Sequence, residues 1–192
     1  MTMPPLRKDA ARNWDRIVAV ARDLVDQGTP LQLNDVARRT GLGVATVYRH
    51  FATPEALLET VATPCLEALA EHGRQALADP DPRHGLEAFL TRVVEAQVTD
   101  PALPPVAAAA TAALPRTTEL RQALTTAGTT LLARAHEAAA VRPDLAAADL
   151  VPLMCGVAHA VNISGGTPAV RLATAHRYLA TLLEGLRAAP TA

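Results

Sequence analysis

The sequence predicts an all-α protein of about nine helices, and three observations carry that expectation. Apolar residues recur at intervals of three and four over long stretches. β-Branched and aromatic residues seldom alternate as a half-buried strand requires, and breaks such as Gly28, Asp79-Pro80-Asp81-Pro82 and Ser164-Gly165-Gly166-Thr167 separate the periodic stretches. A first helix from about Lys8 to Gln27 would bury Trp14, Ile17, Ala21, Leu24 and Val25, with Gly28 and Pro30 marking its end. Two short helices follow, Leu33 to Thr40 and Val44 to Phe51, separated by Gly41-Leu42-Gly43. Thr53-Pro54-Glu55 then opens a long helix, the threonine placed to cap free N–H groups and the proline at the first helical position. Its apolar residues Leu57, Leu58, Val61, Cys65, Leu66, Leu69 and Leu77 keep helical register until Asp79-Pro80-Asp81-Pro82 breaks the chain.

The second part reads as His84 to Thr99, a short helix within Pro101 to Leu114, and Thr117 to Ala140. Two final helices, Asp144 to Ile163 and Pro168 to Ala188, are joined by Ser164-Gly165-Gly166-Thr167 with Thr167 as the cap. The domain boundary is expected inside the long helix near Thr63-Pro64, giving a head of residues 1–62 and a body of residues 63–192.

With 192 residues, 49% hydrophobic and 19% charged, the chain can bury a sizeable core and is too apolar to be disordered as a whole. A net charge of -1 excludes a uniformly basic nucleic-acid coat. The charge is unevenly spread, however: Met1 to Phe51 holds eight basic and five acidic residues, leaving +3 there and -4 in the rest. Two cysteines are too few for a secreted disulfide scaffold, and the first dozen residues lack the apolar core of a signal peptide. A cytoplasmic protein is expected. No run of about 18 uninterrupted apolar residues points to a membrane partner.

From Leu33 to Phe51 the spacing is that of a helix-turn-helix. Ala37 is small where two helices cross, Gly41 follows four residues later in the turn, and Val47 points back into the corner; Val36, Leu42 and Phe51 complete a miniature core. The apolar positions fix the crossing angle, so the remaining face of Val44 to His50 is free to enter a major groove. Any tight two-helix corner has similar needs, so a purely structural corner in a helical carrier or enzyme is the alternative at this point.

The strings Asp35-Val36-Ala37-Arg38-Arg39-Thr40-Gly41, Thr46-Val47-Tyr48-Arg49-His50-Phe51 and Pro54-Glu55-Ala56-Leu57-Leu58 resemble the TetR family of bacterial transcriptional regulators. The resemblance is strong from Lys8 to Val61; beyond it there is a weaker likeness to the family's SbtR-like C-terminal domains. It implies a three-helix DNA-binding head, a helical body that binds a small effector, and a homodimer formed through the last two helices. It places Thr46, Tyr48 and His50 on backbone phosphates and Val44, Ala45 and Arg49 near base edges. The chemistry suits those roles, since a hydroxyl, a phenol and an imidazole can each donate to a phosphate and a guanidinium can pair with guanine O6 and N7. Arg38 and Arg39 fit a solvated face or an internal pair as well as a phosphate contact.

Three departures stand out. Gly43 and Val44 replace the serine and polar residue that many relatives carry after the turn, Pro54 stands where lysine is common, and Gln32 replaces the usual threonine cap. The arm Leu6-Arg7-Lys8 and Arg12 could supply compensating charge.

No P-loop, dinucleotide fingerprint, HExxH or GxSxG string is present, so an enzyme is not expected and no cofactor is called for. The rival reading is a metal sensor: Cys155 and His159 stand at i and i+4, and Cys65, His72, His84, His136 and His176 could complete a site. A cysteine among Leu153, Met154 and Val157 more often simply packs, and no metal is expected. The effector pocket implied by the resemblance would use Phe89, Arg92, Gln97, His136, Met154 and His159, and its apolar lining suits an apolar or aromatic small molecule. Leu150, Met154, Val157 and Val161 with Leu172, Leu179, Leu183 and Leu186 offer more apolar surface than a six-helix body needs, and are expected at the dimer interface. Two such heads would bind an inverted-repeat operator, as a repressor released by the effector.

Overall fold

The computed structural model describes residues 5–187, with side chains from residue 9 onward. The described residues form nine helices, and the only β pairing among them is an isolated antiparallel bridge between Val141 and Arg187. The all-α class is therefore as the sequence predicts. Helices α1 (Pro5–Asp26), α2 (Leu33–Thr40) and α3 (Val44–His50) form a head, and α4 (Pro54–Leu77) leads from it. The body comprises α5 (Pro82–Thr99), α6 (Leu103–Ala108), α7 (Pro115–Glu137), α8 (Ala147–Ser164) and α9 (Pro168–Gly185). The continuation of the last helix to Ala188 lies outside the described residues.

In the head, Ile17, Ala21 and Leu24 of α1 are fully buried and meet Val36 and Ala37 of α2 and Val47 of α3. Trp14 departs from the expected core. It is 41% exposed, because residues 9–16 of α1 overhang the three-helix packing, and its ring sits 6.3 Å from that of Phe51 at the rim. Gly41 ends α2 at φ 68°, a left-handed conformation that lets the chain turn directly into α3. The last carbonyl of α2 is not left free, since the Arg16 guanidinium donates to the Thr40 oxygen.

Thr53 caps α4 as expected, its Oγ1 accepting from the Ala56 N–H at 3.1 Å. Pro64 lies inside α4 without ending it, although its ring nitrogen removes the N–H that would reach the Thr60 carbonyl. One hydrophobic cluster gathers the head, the first half of α4 and Ala96, Leu103, Val106 and Leu120 at the base of the body; a second gathers Phe89, Leu131, Met154, Val161 and Leu179.

Polar ties reinforce the junctions. Arg22 of α1 donates to both carboxylate oxygens of Asp100, at 2.7 and 3.3 Å, and to the Val61 carbonyl at 2.7 Å, so one fork joins α1, α4 and the end of α5. Glu59 of α4 is buried, and its two oxygens accept the N–H groups of Ala113 at 2.6 Å and Leu114 at 2.8 Å, fixing the start of α7. Arg134 of α7 donates to the carbonyls of Leu77 and Asp79, groups that the end of α4 leaves without helical partners. α4 and α5 approach so closely at Gly85 that a Cβ there would lie 2.7 Å from the Ala76 oxygen.

Helix α7 ends through Ala139, whose φ of 49° is left-handed without the glycine that usually supplies it. The Ala140 N–H reaches back to the Ala135 carbonyl at 2.9 Å and the Ala139 N–H to that of His136. An Ala139→Gly variant is expected to be more stable by about 1 kcal/mol, measured by urea unfolding. A loss of stability would show that the turn tolerates the Cβ at no cost.

The expected dimer residues are placed differently from the sequence reading. Leu150, Met154, Val161, Leu179 and Leu186 are at most 7% exposed and belong to the body's own core, because α8 and α9 both pack on α5 and turn those stripes inward. Val157, Leu172 and Leu183 are half-buried. The large apolar side chains left outside are Val151, Ile163 and Val170. By length and composition α8 is also apolar enough to cross a membrane, although Asp149, Pro152 and His159 interrupt its apolar run.

Candidate functional site

Helix α3 has seven residues and a length of about 10 Å, close to the width of a major groove. Its orientation follows from Val47, which is fully buried between α1 and α2 and so directs the opposite face to solvent. Val44, Ala45, Tyr48 and Arg49 are exposed, and Thr46 and His50 are half-buried. All six residues expected at a DNA surface thus lie on this one short helix, with Val44 and Tyr48 presenting about half of their surface.

The charge around α3 is mostly engaged. Arg38 pairs with Asp35 at 2.8 Å, Arg39 reaches Gln27 at 3.4 Å, and Arg12 pairs with Asp9 at 3.4 Å. Arg16 and Arg22 are committed to the internal bonds described above. Among the described side chains of the head, Arg49 is the arginine that no protein group engages. The arm residues Leu6, Arg7 and Lys8 lie outside the described side chains. Gln32 and Gly43 stand at the N-caps of α2 and α3 with no side-chain cap, as their types predict.

A second feature lies in the body. A partly open cavity of about 170 Å³ is lined by α4, α5, α6, α7 and α8, its walls formed mainly by Leu66, Leu69, Phe89, Leu90, Leu124 and Met154. Four polar side chains enter it: Gln97, Arg121, Thr125 and Cys155. Of the residues expected in a pocket, Phe89, Gln97 and Met154 line the cavity. Arg92 does not, since it faces outward and pairs with Glu95 at 3.3 Å. His136 sits toward the far end of α7 against the Arg142 carbonyl at 3.2 Å, and His159 is on the exposed side of α8. The α7 contribution was missed, though it carries a helical signal: Arg121, Leu124, Thr125 and Gly128 fall at i, i+3, i+4 and i+7.

Cys155 and His159 lie one turn apart on α8, as their spacing predicts. Cys155 lines the cavity while His159 faces outward, and among the described residues no three His, Cys, Asp or Glu side chains gather where they could hold one ion. His72 contacts the Ala88 carbonyl, His84 pairs with Asp79 and His176 with Glu95, each on a different part of the surface. Burial pushes the Cys65 thiol up to about 11, with the Asp100 carboxylate adding to the effect. Burial also raises Cys155, against the pull of the Gln97 amide beside it. Both thiols therefore stay protonated at neutral pH and are poor nucleophiles.

Comparison with known proteins bears on both features. Residues 17–61 match the family described as bacterial regulatory proteins, tetR family, and residues 81–188, more than half of the chain, match the C-terminal domain of SbtR-like transcriptional regulators. A TetR transcription regulatory protein of Mycobacterium vanbaalenii is 30% identical, with 95% of this chain and 99% of that one covered at a TM-score of 0.51. A TetR transcriptional regulator of Streptomyces coelicolor is also 30% identical, over 93% of this chain and 99% of its own, with a TM-score of 0.55. An HTH-type transcriptional regulator of Staphylococcus aureus is 33% identical over 76 residues, 38% of this chain; the chain spans about two fifths of the length of such curated relatives.

Proposed function

This chain belongs to the TetR family of bacterial transcriptional regulators, and from that membership we propose that it is a repressor that binds an inverted-repeat operator as a homodimer and releases it on binding a small effector. The observation that carries the proposal is Arg49, unengaged by any described protein group, on the exposed face of a helix whose buried side is locked by Val47. In this reading residues 1–62 are the DNA-binding head and residues 63–192 the effector and dimer body. Arg49 reads a base edge, Val44 and Ala45 contact thymine methyls, and Thr46, Tyr48 and His50 hold phosphates.

The dimer uses the outer faces of α8 and α9, centred on Ile163 and Val170, with Gly156, Ala160, Ala169 and Ala173 small enough for close helix approach. The exposed apolar surface of α8 is accounted for by a second copy of the chain. The effector enters the cavity between α4 and α8. Because Leu66 and Leu69 belong to α4, the helix whose Val61 carbonyl Arg22 of α1 holds, an occupant that shifts α4 carries the head with it. It can act only through its differential affinity for the two head spacings, so a molecule that binds both equally would not induce.

Titrating operator DNA at several salt concentrations tests the residue roles. Thr46→Ala should weaken all sequences alike and lower the salt slope by about 0.9. Arg49→Ala should cost about 1–3 kcal/mol at one base position and little elsewhere. Equal weakening of every sequence by Arg49→Ala would remove it as the base reader.

A further inference from the structure

We propose that the body cavity takes an apolar monocarboxylic acid of about a dozen non-hydrogen atoms, its carboxylate on Arg121 at the rim and a second oxygen on the Gln97 amide within. The inference rests on reading the cavity as the effector site, and it adds the chemical class of the occupant.

The first support is the state of Arg121. Every other arginine of the body has its guanidinium on a carboxylate, a backbone carbonyl or a hydroxyl. Arg121 has no such partner among the described residues. It stands half-buried at the edge of an apolar cavity, beside exposed Thr125, Ala147 and Val151. No aspartate or glutamate lines that cavity. An anion seated there gains a charge-assisted bidentate contact, a neutral acceptor gains a weaker hydrogen bond, and a cation is repelled.

The second support is Gln97. The residue is only 5% exposed and lines the same cavity. Its protein neighbour there is the protonated Cys155 thiol, a weak hydrogen-bonding group. A buried amide in that position favours an occupant that brings an oxygen to it. The walls between these two polar points are Leu66, Leu69, Phe89, Leu90 and Met154, which demand an apolar body and set its length.

Titration calorimetry on the full chain with octanoate, octanamide and ω-hydroxyoctanoate tests the assignment. Octanoate should bind about tenfold or more tightly than the isosteric octanamide, and Arg121→Gln should abolish that preference while Arg121→Lys keeps part of it. ω-Hydroxyoctanoate should bind more tightly than octanoate, with the order reversed in Gln97→Leu. Circular dichroism melts establish that each variant is folded. Equal binding of octanoate and octanamide to the unaltered chain, or a preference that survives Arg121→Gln, overturns the charge assignment and leaves the cavity as an effector site. An unchanged order in Gln97→Leu overturns the role of the amide. Binding of none of the three overturns the proposal together with the reading of the cavity.

Discussion

An Ile163→Arg, Val170→Arg double variant is expected to sediment as a monomer and to bind the full operator roughly 10²–10⁴-fold more weakly than the unaltered chain. Both side chains are more than half exposed on the protomer, so the substitutions remove little internal packing. Four like charges brought together by two-fold symmetry would oppose any apolar contact between copies. Without the contact, the two heads lose the effective concentration that makes the second half-site binding intramolecular. Sedimentation velocity and gel shifts on full and half operators measure the two effects separately. A double variant that stays dimeric would move the interface elsewhere on the body. Arginines at Leu179 and Leu183 would be a poor test, because Leu179 is 2% exposed and its substitution would unfold the protomer.

Glu59→Ala is expected to lower unfolding stability by roughly 2–5 kcal/mol, because two hydrogen bonds to a buried carboxylate are lost at once. Glu59 is 4% exposed, and both its oxygens are used, on Ala113 and Leu114 immediately before α7. That end of a 23-residue helix carries the positive pole of its macrodipole, which a carboxylate complements. Glu59→Gln should lose less, retaining one carbonyl acceptor while turning its amide toward the other N–H. Urea denaturation of the two variants gives the comparison. A stability loss below about 1 kcal/mol for Glu59→Ala would mean that the loop before α7 finds other partners.

How legible these features were in the sequence depended on how local their causes are. The helix-turn-helix was readable because Ala37, Gly41 and Val47 act over a few residues, and Thr53 announced α4 by its own cap. The face of α8 was not readable. Leu150, Val151, Leu153, Met154, Val157, Val161 and Ile163 surround the helix, so periodicity could not decide which residues the protomer keeps for itself. Trp14 misled because hydrophobicity does not reveal where a helix runs past its core. Arg22 with Asp100 and Glu59 with Leu114 are joined across dozens of residues, and their types alone marked them as ordinary surface charges. Arg121 was passed over for a related reason: only the fold shows that its neighbours enclose a cavity and that no acid stands beside it.

The central claim is that two copies of this chain present α3 to DNA with two-fold symmetry, and selection from a random double-stranded DNA pool by the full chain tests it most directly. The account predicts enrichment of an inverted repeat whose half-sites lie about 34–36 Å apart or a multiple of that distance, with a guanine whose loss the Arg49→Ala variant ignores. Enrichment of no sequence, or of a single half-site bound as tightly as its repeat, would contradict it.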